Sequence, residues 1–250
     1  MTVNASSRLG SARVQRRLAE LPHRSLNFDP GVLADASPAT GWSITDLRQP
    51  LPNEPPGNPT RGGSWQIARQ LMSGYEFADP SIVRAYYDPE VPLEHRNMLL
   101  KLQAFGVAHL YVGVRVGEVY EQTREHGGTR ARVWGWNYRT LEGHVEIGQM
   151  DWEAWKWLDD GRVEFRVHAV SRSAPIHNPL IRLGFHLLRA HERSAFLEST
   201  TTRMLTFTAL ALSHEDPDRA MRQAADALTV RPHRNDRAAR DALARATRRG

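Results

Sequence analysis

Cysteine is absent from the 250 residues, which excludes disulfides, thiolate zinc sites and cysteine nucleophiles and fits a reducing compartment. Lysine is nearly absent, at Lys101 and Lys156 only, so 31 of the 33 basic residues are arginine. That bias follows from codon usage as readily as from phosphate recognition and carries no weight for the latter. No apolar run approaches the roughly 20 residues of a spanning helix, and the opening MTVNASSRLGSARVQRRLAE lacks the apolar stretch of a signal peptide. HExxH, GxSxG, P-loop and GxGxxG patterns are missing. The eleven histidines show no compact ligand spacing, and His186 and His191, five apart, diverge by about 140° on a helix. The expectation is a soluble cytoplasmic protein without a metal or a cofactor.

What is present is a chain able to bury a core, with 40% hydrophobic and 24% charged residues. The net charge of +5 is local. Residues 231–250 hold seven arginines and two aspartates, and removing them from 33 basic and 28 acidic residues leaves 26 against 26. The basic character therefore belongs to the tail, through which nucleic acid or an anionic membrane is a conceivable partner.

Along the chain, residues 1–40 read as an arm with one short helical pattern at Val14, Leu18 and Leu21. Residues 41–63 crowd Pro50, Pro52, Pro55, Pro56 and Pro59 among glycines, which forbids a regular helix or a central strand and predicts a coil or lid. Ser64–Met72 reads as a strand. Asp79-Pro80, a cap acceptor followed by a residue pre-set for the first turn, predicts a short helix to Tyr87. The alternation of Val107–Gln122, the Gly127-Gly128 turn, Ala131–Tyr138, His144–Leu158 and Arg162–Ser171 predicts four long antiparallel strands. In the last of these Glu164, Arg166 and His168 face solvent while Val163, Phe165 and Val167 face inward. Asn178-Pro179 opens a long amphipathic helix to about Phe207, with Leu180 to Ala195 forming the inward arc and Arg182, Arg189 and Arg193 opposite. Asp216-Pro217 starts another helix. The fold class is α+β, a curved antiparallel meander wrapped around a long C-terminal helix, with the main domain at residues 64–207 and a helical, arginine-rich extension at 208–250.

The run GWNYRTLEGHVEIGQ at Gly135–Gln149 resembles an aromatic-Tyr-x-Thr-Leu-x-Gly-His-x-Glu-x-Gly signature of an uncharacterised family of bacterial and plant proteins, a domain of unknown function. Tyr138, Thr140, Leu141, Gly143, His144, Glu146 and Gly148 match it, as do Ala169-Val170-Ser171-Arg172 and the helix ending near Met204. The resemblance spans roughly Trp65 to Met204. It implies an arrangement similar to the helix-grip proteins of the START and Bet v 1 type, in which a curved sheet and a long helix enclose a ligand cavity. It implies no established activity.

Five of the seven tryptophans lie between Trp134 and Trp157. Trp134, Trp136 and Tyr138 share one strand face, where they line an aromatic cavity or fill a core. His144 and Glu146, two apart, form an acid–base pair on one face, or a turn cap and an arginine partner. His191 and Glu198, seven apart, project onto the inward arc of the long helix and contact a ligand, or the helix surfaces after Ala190. The candidate ligand contacts are thus Trp134, Trp136, Tyr138, Thr140, Ser171, Arg172, His191 and Glu198, with an apolar or lipid-like small molecule as partner. His144 and Glu146 become catalytic if the protein is a cyclase, hydratase or hydrolase.

The tail has little apolar surface to dock. Truncation after Val230 is expected to leave the melting temperature unchanged, and any affinity of the full chain for nucleic acid or anionic vesicles to disappear with the tail and to fall steeply with salt.

Overall fold

The computed structural model describes residues 8–104, 108–175 and 179–230, with residues 104, 108 and 179–191 described by their backbone alone. The Asn178 cap, the side chains of Leu180 to His191 and the tail at 231–250 lie outside the described residues. One antiparallel sheet holds seven strands, β1 (Ser43–Leu51), β2 (Val83–Tyr86), β3 (Asn97–Ala104), β4 (Ala108–His126), β5 (Thr129–Thr140), β6 (Glu146–Trp157) and β7 (Val163–Ser173). Their order is β1-β7-β6-β5-β4-β3-β2, so six strands form a meander and β1 closes on the last of them. The helices are α1 (Ala12–Glu20), α2 (Ser64–Ser73), α3 (Pro179–Ser213) and α4 (Pro217–Ala227). The expected α+β fold, a long meander with a C-terminal helix on its inner face, is the fold of the protein.

The meander follows from the alternation of its strands and from its turns. Gly127 and Gly128 adopt φ of 61° and 75°, the conformation a two-residue hairpin needs. Along β5, Trp134, Trp136 and Tyr138 turn inward, and β6 and β7 answer with Trp152, Ala154, Phe165 and Val167. Trp152 stacks on Phe165 with centroids 6.1 Å apart and planes inclined by 7°. Tyr75 and Phe77, just beyond α2, pack onto this layer from above, Phe77 lying 4.6 Å from Trp152. Phe196, Met204 and Phe207 of α3 complete the inner core, and Met221 of α4 seals its end.

Three local expectations are corrected. Ser64–Met72 is a helix, because Ser64, Trp65, Ile67, Ala68, Leu71 and Met72 are all buried, a spacing of three and four that strand alternation cannot satisfy. Its N-terminus is capped from a distance: the Glu54 carboxylate accepts Trp65 N–H at 2.8 Å and Thr60 N–H at 2.8 Å. Pro80–Tyr87 makes a single turn on Asp79, whose carboxylate accepts Ser81 N–H at 2.8 Å. It then becomes β2, whose Val83 and Ala85 face the core and whose backbone pairs with β3. Within the expected coil at 41–63, Ser43–Leu51 is an edge strand paired with β7, and the edge position tolerates the missing N–H of Pro50. The remainder, at 52–63, is coil pinned by Glu54 and by the donation of Lys156 Nζ to Pro55 O at 2.6 Å.

Residues 8–40 form a layer on the outer face of the sheet. Val14 and Leu21 pack with Leu99 and Leu141, while Phe28, Leu33 and Ala36 pack with Trp42, Ile147 and Val170. Gly113 makes room for this layer, since a Cβ there would lie 2.7 Å from Leu21 Cδ2. Arg115 Nη2 ties the backbone down by donating to Leu21 O at 3.0 Å and Arg24 O at 2.9 Å. Among the described residues no helix is long and apolar enough to cross a membrane. Leu21 is fully buried, so Leu21→Ala is expected to lower stability by about 2–4 kcal/mol, read as a fall in the denaturation midpoint. An unchanged midpoint would mean that the outer layer is not part of the folded unit.

Candidate functional site

The β5–β6 connection carries the family signature, and most of its residues build the turn. Gly143 has φ of 83° and Gly148 φ of 152°. A Cβ on Gly148 would stand 2.0 Å from Val170 O, so only glycine fits there. Thr140 Oγ1 accepts Gly148 N–H at 3.0 Å and donates to Asn27 Oδ1 at 2.6 Å, locking the connection to the outer layer. His144 Nδ1 accepts Glu146 N–H at 2.9 Å, which fixes the tautomer with its proton on Nε2. Burial pushes the imidazole down to about 4. The hydrogen bond that joins the two residues therefore uses the backbone of Glu146, while the Glu146 carboxylate turns to the inner face, 4.0 Å from Arg193 Nη1.

A polar group gathers on that inner face where α3 passes over β7 and β1. Arg193 Nη1 donates to Ser171 Oγ at 2.9 Å and Nη2 to Thr45 Oγ1 at 2.8 Å. Tyr138 contacts Met150 Sδ through its hydroxyl at 3.3 Å, and burial, with the nearby Glu146 charge, holds its phenol well above the usual range. Deeper in, Trp136 and Trp152 face each other directly across β5 and β6, and both are fully buried. Among the described residues neither indole N–H has a hydrogen-bond partner, and the same is true of Ser199 Oγ and Thr200 Oγ1 on α3. Tyr75 lies over the pair at 6.3 and 6.1 Å. Its hydroxyl is directed at Tyr138 without reaching hydrogen-bond geometry, and burial raises its pKa strongly. Tyr75 has φ of 54°, a conformation unfavourable for an aromatic residue, which turns its ring into the core.

The structure thus brings together Trp136, Tyr138, Glu146 and Ser171 among the candidate residues. Trp134 is buried at the rim, with Arg69 over its ring at 5.3 Å. Thr140 and His144 belong to the turn. Arg172 lies on the outer face, 4.6 Å above Trp42, and Glu198 is exposed. His191 has no described side chain. The projection of α3 is corrected beyond Ala190: Arg193, expected opposite the inward arc, reaches the sheet, and the buried stripe runs through Phe196, Ser199, Thr200, Arg203, Met204 and Phe207. Hydrophobicity alone misplaces this stripe because Ser199, Thr200, Arg203 and Thr208 among its buried residues are polar. Tyr75, Met150, Thr45 and Arg193 carry no signal in the sequence that would join them to Tyr138. The expected outward set of Glu164, Arg166 and His168 does face away from the inner core.

The family model described as "Domain of unknown function (DUF1990)" matches residues 29–196. No curated protein matches the chain. Among solved structures, Ara h 8.0201 is similar at 11% identity and a TM-score of 0.38, over 66% of this chain and 99% of that one. Human STARD10 is similar at 8% identity and a TM-score of 0.33, over 85% and 87%. The di-domain ARO/CYC StfQ from the steffimycin biosynthetic pathway is similar at 10% identity and a TM-score of 0.35, over 64% and 50%.

Because His144 is neutral and accepting in the folded state and its folded pKa lies below the ordinary 6.5, the stability it contributes is present above about pH 6.5 and is lost as the pH falls toward 4. The expected outcome is an imidazole that stays neutral at pH 5 in a carbon-13 titration. His144→Ala should remove a part of the acid sensitivity of unfolding. An imidazole titrating near 6.5 would show that the turn does not hold it.

Proposed function

We propose that this protein, which belongs to the DUF1990 family, binds an apolar or lipid-like small molecule on the inner face of the sheet beneath α3, in the cytoplasm. The observation that carries this reading is the pair of indole N–H groups of Trp136 and Trp152, opposite each other, fully buried and without acceptors among the described residues. Buried donors are almost always paired, and each one left unpaired costs about 1–3 kcal/mol. A ligand carbonyl, carboxyl or hydroxyl oxygen between them would remove that cost. The aromatic rings of Tyr75, Phe77 and Phe196 supply apolar walls. Tyr138, Glu146 and Arg193 are placed to orient a second polar group. This reading is preferred to acid–base catalysis by His144 and Glu146, because His144 Nδ1 is engaged by backbone and the ring is held neutral by burial.

Native mass spectrometry of the purified protein, followed by displacement of a bound anilinonaphthalene dye by oleate, tests the proposal. A co-purified small molecule or saturable displacement is expected, with the Trp136→Phe and Trp152→Phe pair weakening oleate by about fivefold or more, equivalent to about 1 kcal/mol for the lost donors. Absence of both a bound mass and displacement, or an unchanged affinity in the paired variant, would overturn it.

A further inference from the structure

Besides the cluster that seats Val14 and Leu21, the outer face of the sheet carries an apolar cluster seating residues 28–42 and another built on Trp155 and Trp157. Between them opens a groove of about 490 Å³, within the range of small-molecule sites. Its floor is two rows of side chains running across the strands. The first joins Asp46, His168, Asp151 and Asn137, from β1 through β7 and β6 to β5. The second joins Arg48, Arg166, Glu153 and Gly135. Gly135 leaves space for the Tyr120 ring, since a Cβ there would lie 2.7 Å from the Tyr120 hydroxyl oxygen.

The charges in the groove are unequally provided for. Glu153 accepts from Tyr120 at 2.5 Å, from Arg124 at 2.7 Å and from the Trp155 indole at 2.7 Å. Arg166 makes two bonds to Glu164, at 2.8 and 2.7 Å, and lies 3.8 Å from the Trp155 ring centre. Arg139 donates to Gln149 at 2.7 Å and to Glu118 at 3.4 Å. His168 is held by Asp46 at 2.7 Å. Asp151, at the centre of the first row, receives Gln149 Nε2 at 2.9 Å, and among the described residues no arginine or lysine forms an ion pair with it. Burial pushes its carboxyl up to about 6, the behaviour of an anion short of a cation. No group of three ligating side chains converges among the described residues, so the groove suits N–H donors better than a metal ion, which takes several oxygen ligands.

We propose that this outer groove binds an organic cation, a primary amine or a guanidinium, that donates to Asp151 between Asn137 and His168. The site is separated from the interior by the sheet and does not depend on the reading above. Binding requires ionised Asp151, so affinity falls as the pH drops through about 6. The charged and titratable groups that face Asp151 are Arg48, Arg166, Arg139 and Glu118, with the engaged Glu153 and with His168 held by Asp46.

The test is an amide NMR titration of the full chain with agmatine at about pH 7.5, alongside pentanol and succinate. Saturable shifts centred on Asn137, Asp151 and His168 are expected with agmatine, together with about tenfold weaker binding in Asp151→Asn and a comparable weakening of the unaltered protein at about pH 5. The melting temperature checks that the variant folds, and if it does not, the pH arm on the unaltered protein decides alone. No saturable shift below roughly 10 mM, on the scale where 1 mM corresponds to about 4 kcal/mol of binding, would overturn the proposal. Succinate binding more tightly than agmatine, or equal affinity at both pH values, would do so as well.

Discussion

Trp136 and Trp152, set directly opposite on the two central strands, are the constraint around which the inner face is arranged. Two indoles buried side by side remove a large apolar area from water, but they also bury two N–H donors that have no acceptor among the described residues. The layer above has to match their bulk. Phe77 and Tyr75 reach down from the chain beyond α2, and Phe196 reaches across from α3. The unfavourable backbone angle of Tyr75 is maintained by this packing.

The two faces of the sheet divide the chemistry. The inner face is largely aromatic, with a polar group at the Tyr138, Glu146, Arg193 and Ser171 end and further buried polar atoms on α3 at Ser199, Thr200 and Arg203. The outer face is covered at one end by residues 8–40, which the sequence offers as an arm and which pack Leu21 as tightly as any core residue. Where that cover stops, the outward row of charged residues lies in a groove, and its charges pair both across strands, as Arg124 with Glu153, and along one strand, as Arg166 with Glu164. Pleating alone produces this division, since successive residues of each strand point to opposite sides.

The family signature shows how a motif can mark a fold more than a reaction. Gly143, Gly148, Thr140 and His144 each satisfy a backbone requirement of one tight connection, through positive φ, close approach to Val170 O, a hydroxyl acceptor and a ring acceptor. Of the signature residues, Tyr138 and Glu146 direct polar groups to the inner face. Spacing of two between His144 and Glu146 suggests a shared strand face. Their actual relation is set by a turn that ends at Glu146, where β6 begins.

The meander, its Gly127-Gly128 hairpin, the inward tryptophans and the starts of α3 and α4 at Pro179 and Pro217 were legible in the sequence, because each depends on local pattern: strand alternation, φ above zero at glycine, and proline fitting a first helical turn. What local pattern could not decide was decided by contacts distant in the chain. In Ser64–Met72 the pair Trp65 and Ile67, two apart, reads as a strand face while Ile67, Ala68, Leu71 and Met72 fit a helix, and Glu54, ten residues before the segment, supports the helix by capping it. Val83–Tyr86 follows a good helix start and becomes a strand because β3 offers it a ladder. The facing of α3 beyond Ala190 and the approach of Arg193 to Ser171 and Thr45 are properties of which side chains meet across 20 to 150 residues of chain. A one-dimensional pattern holds periodicity and composition. Hydrogen-bond partners and the balance of charge in a groove exist only once the sheet has brought its strands together.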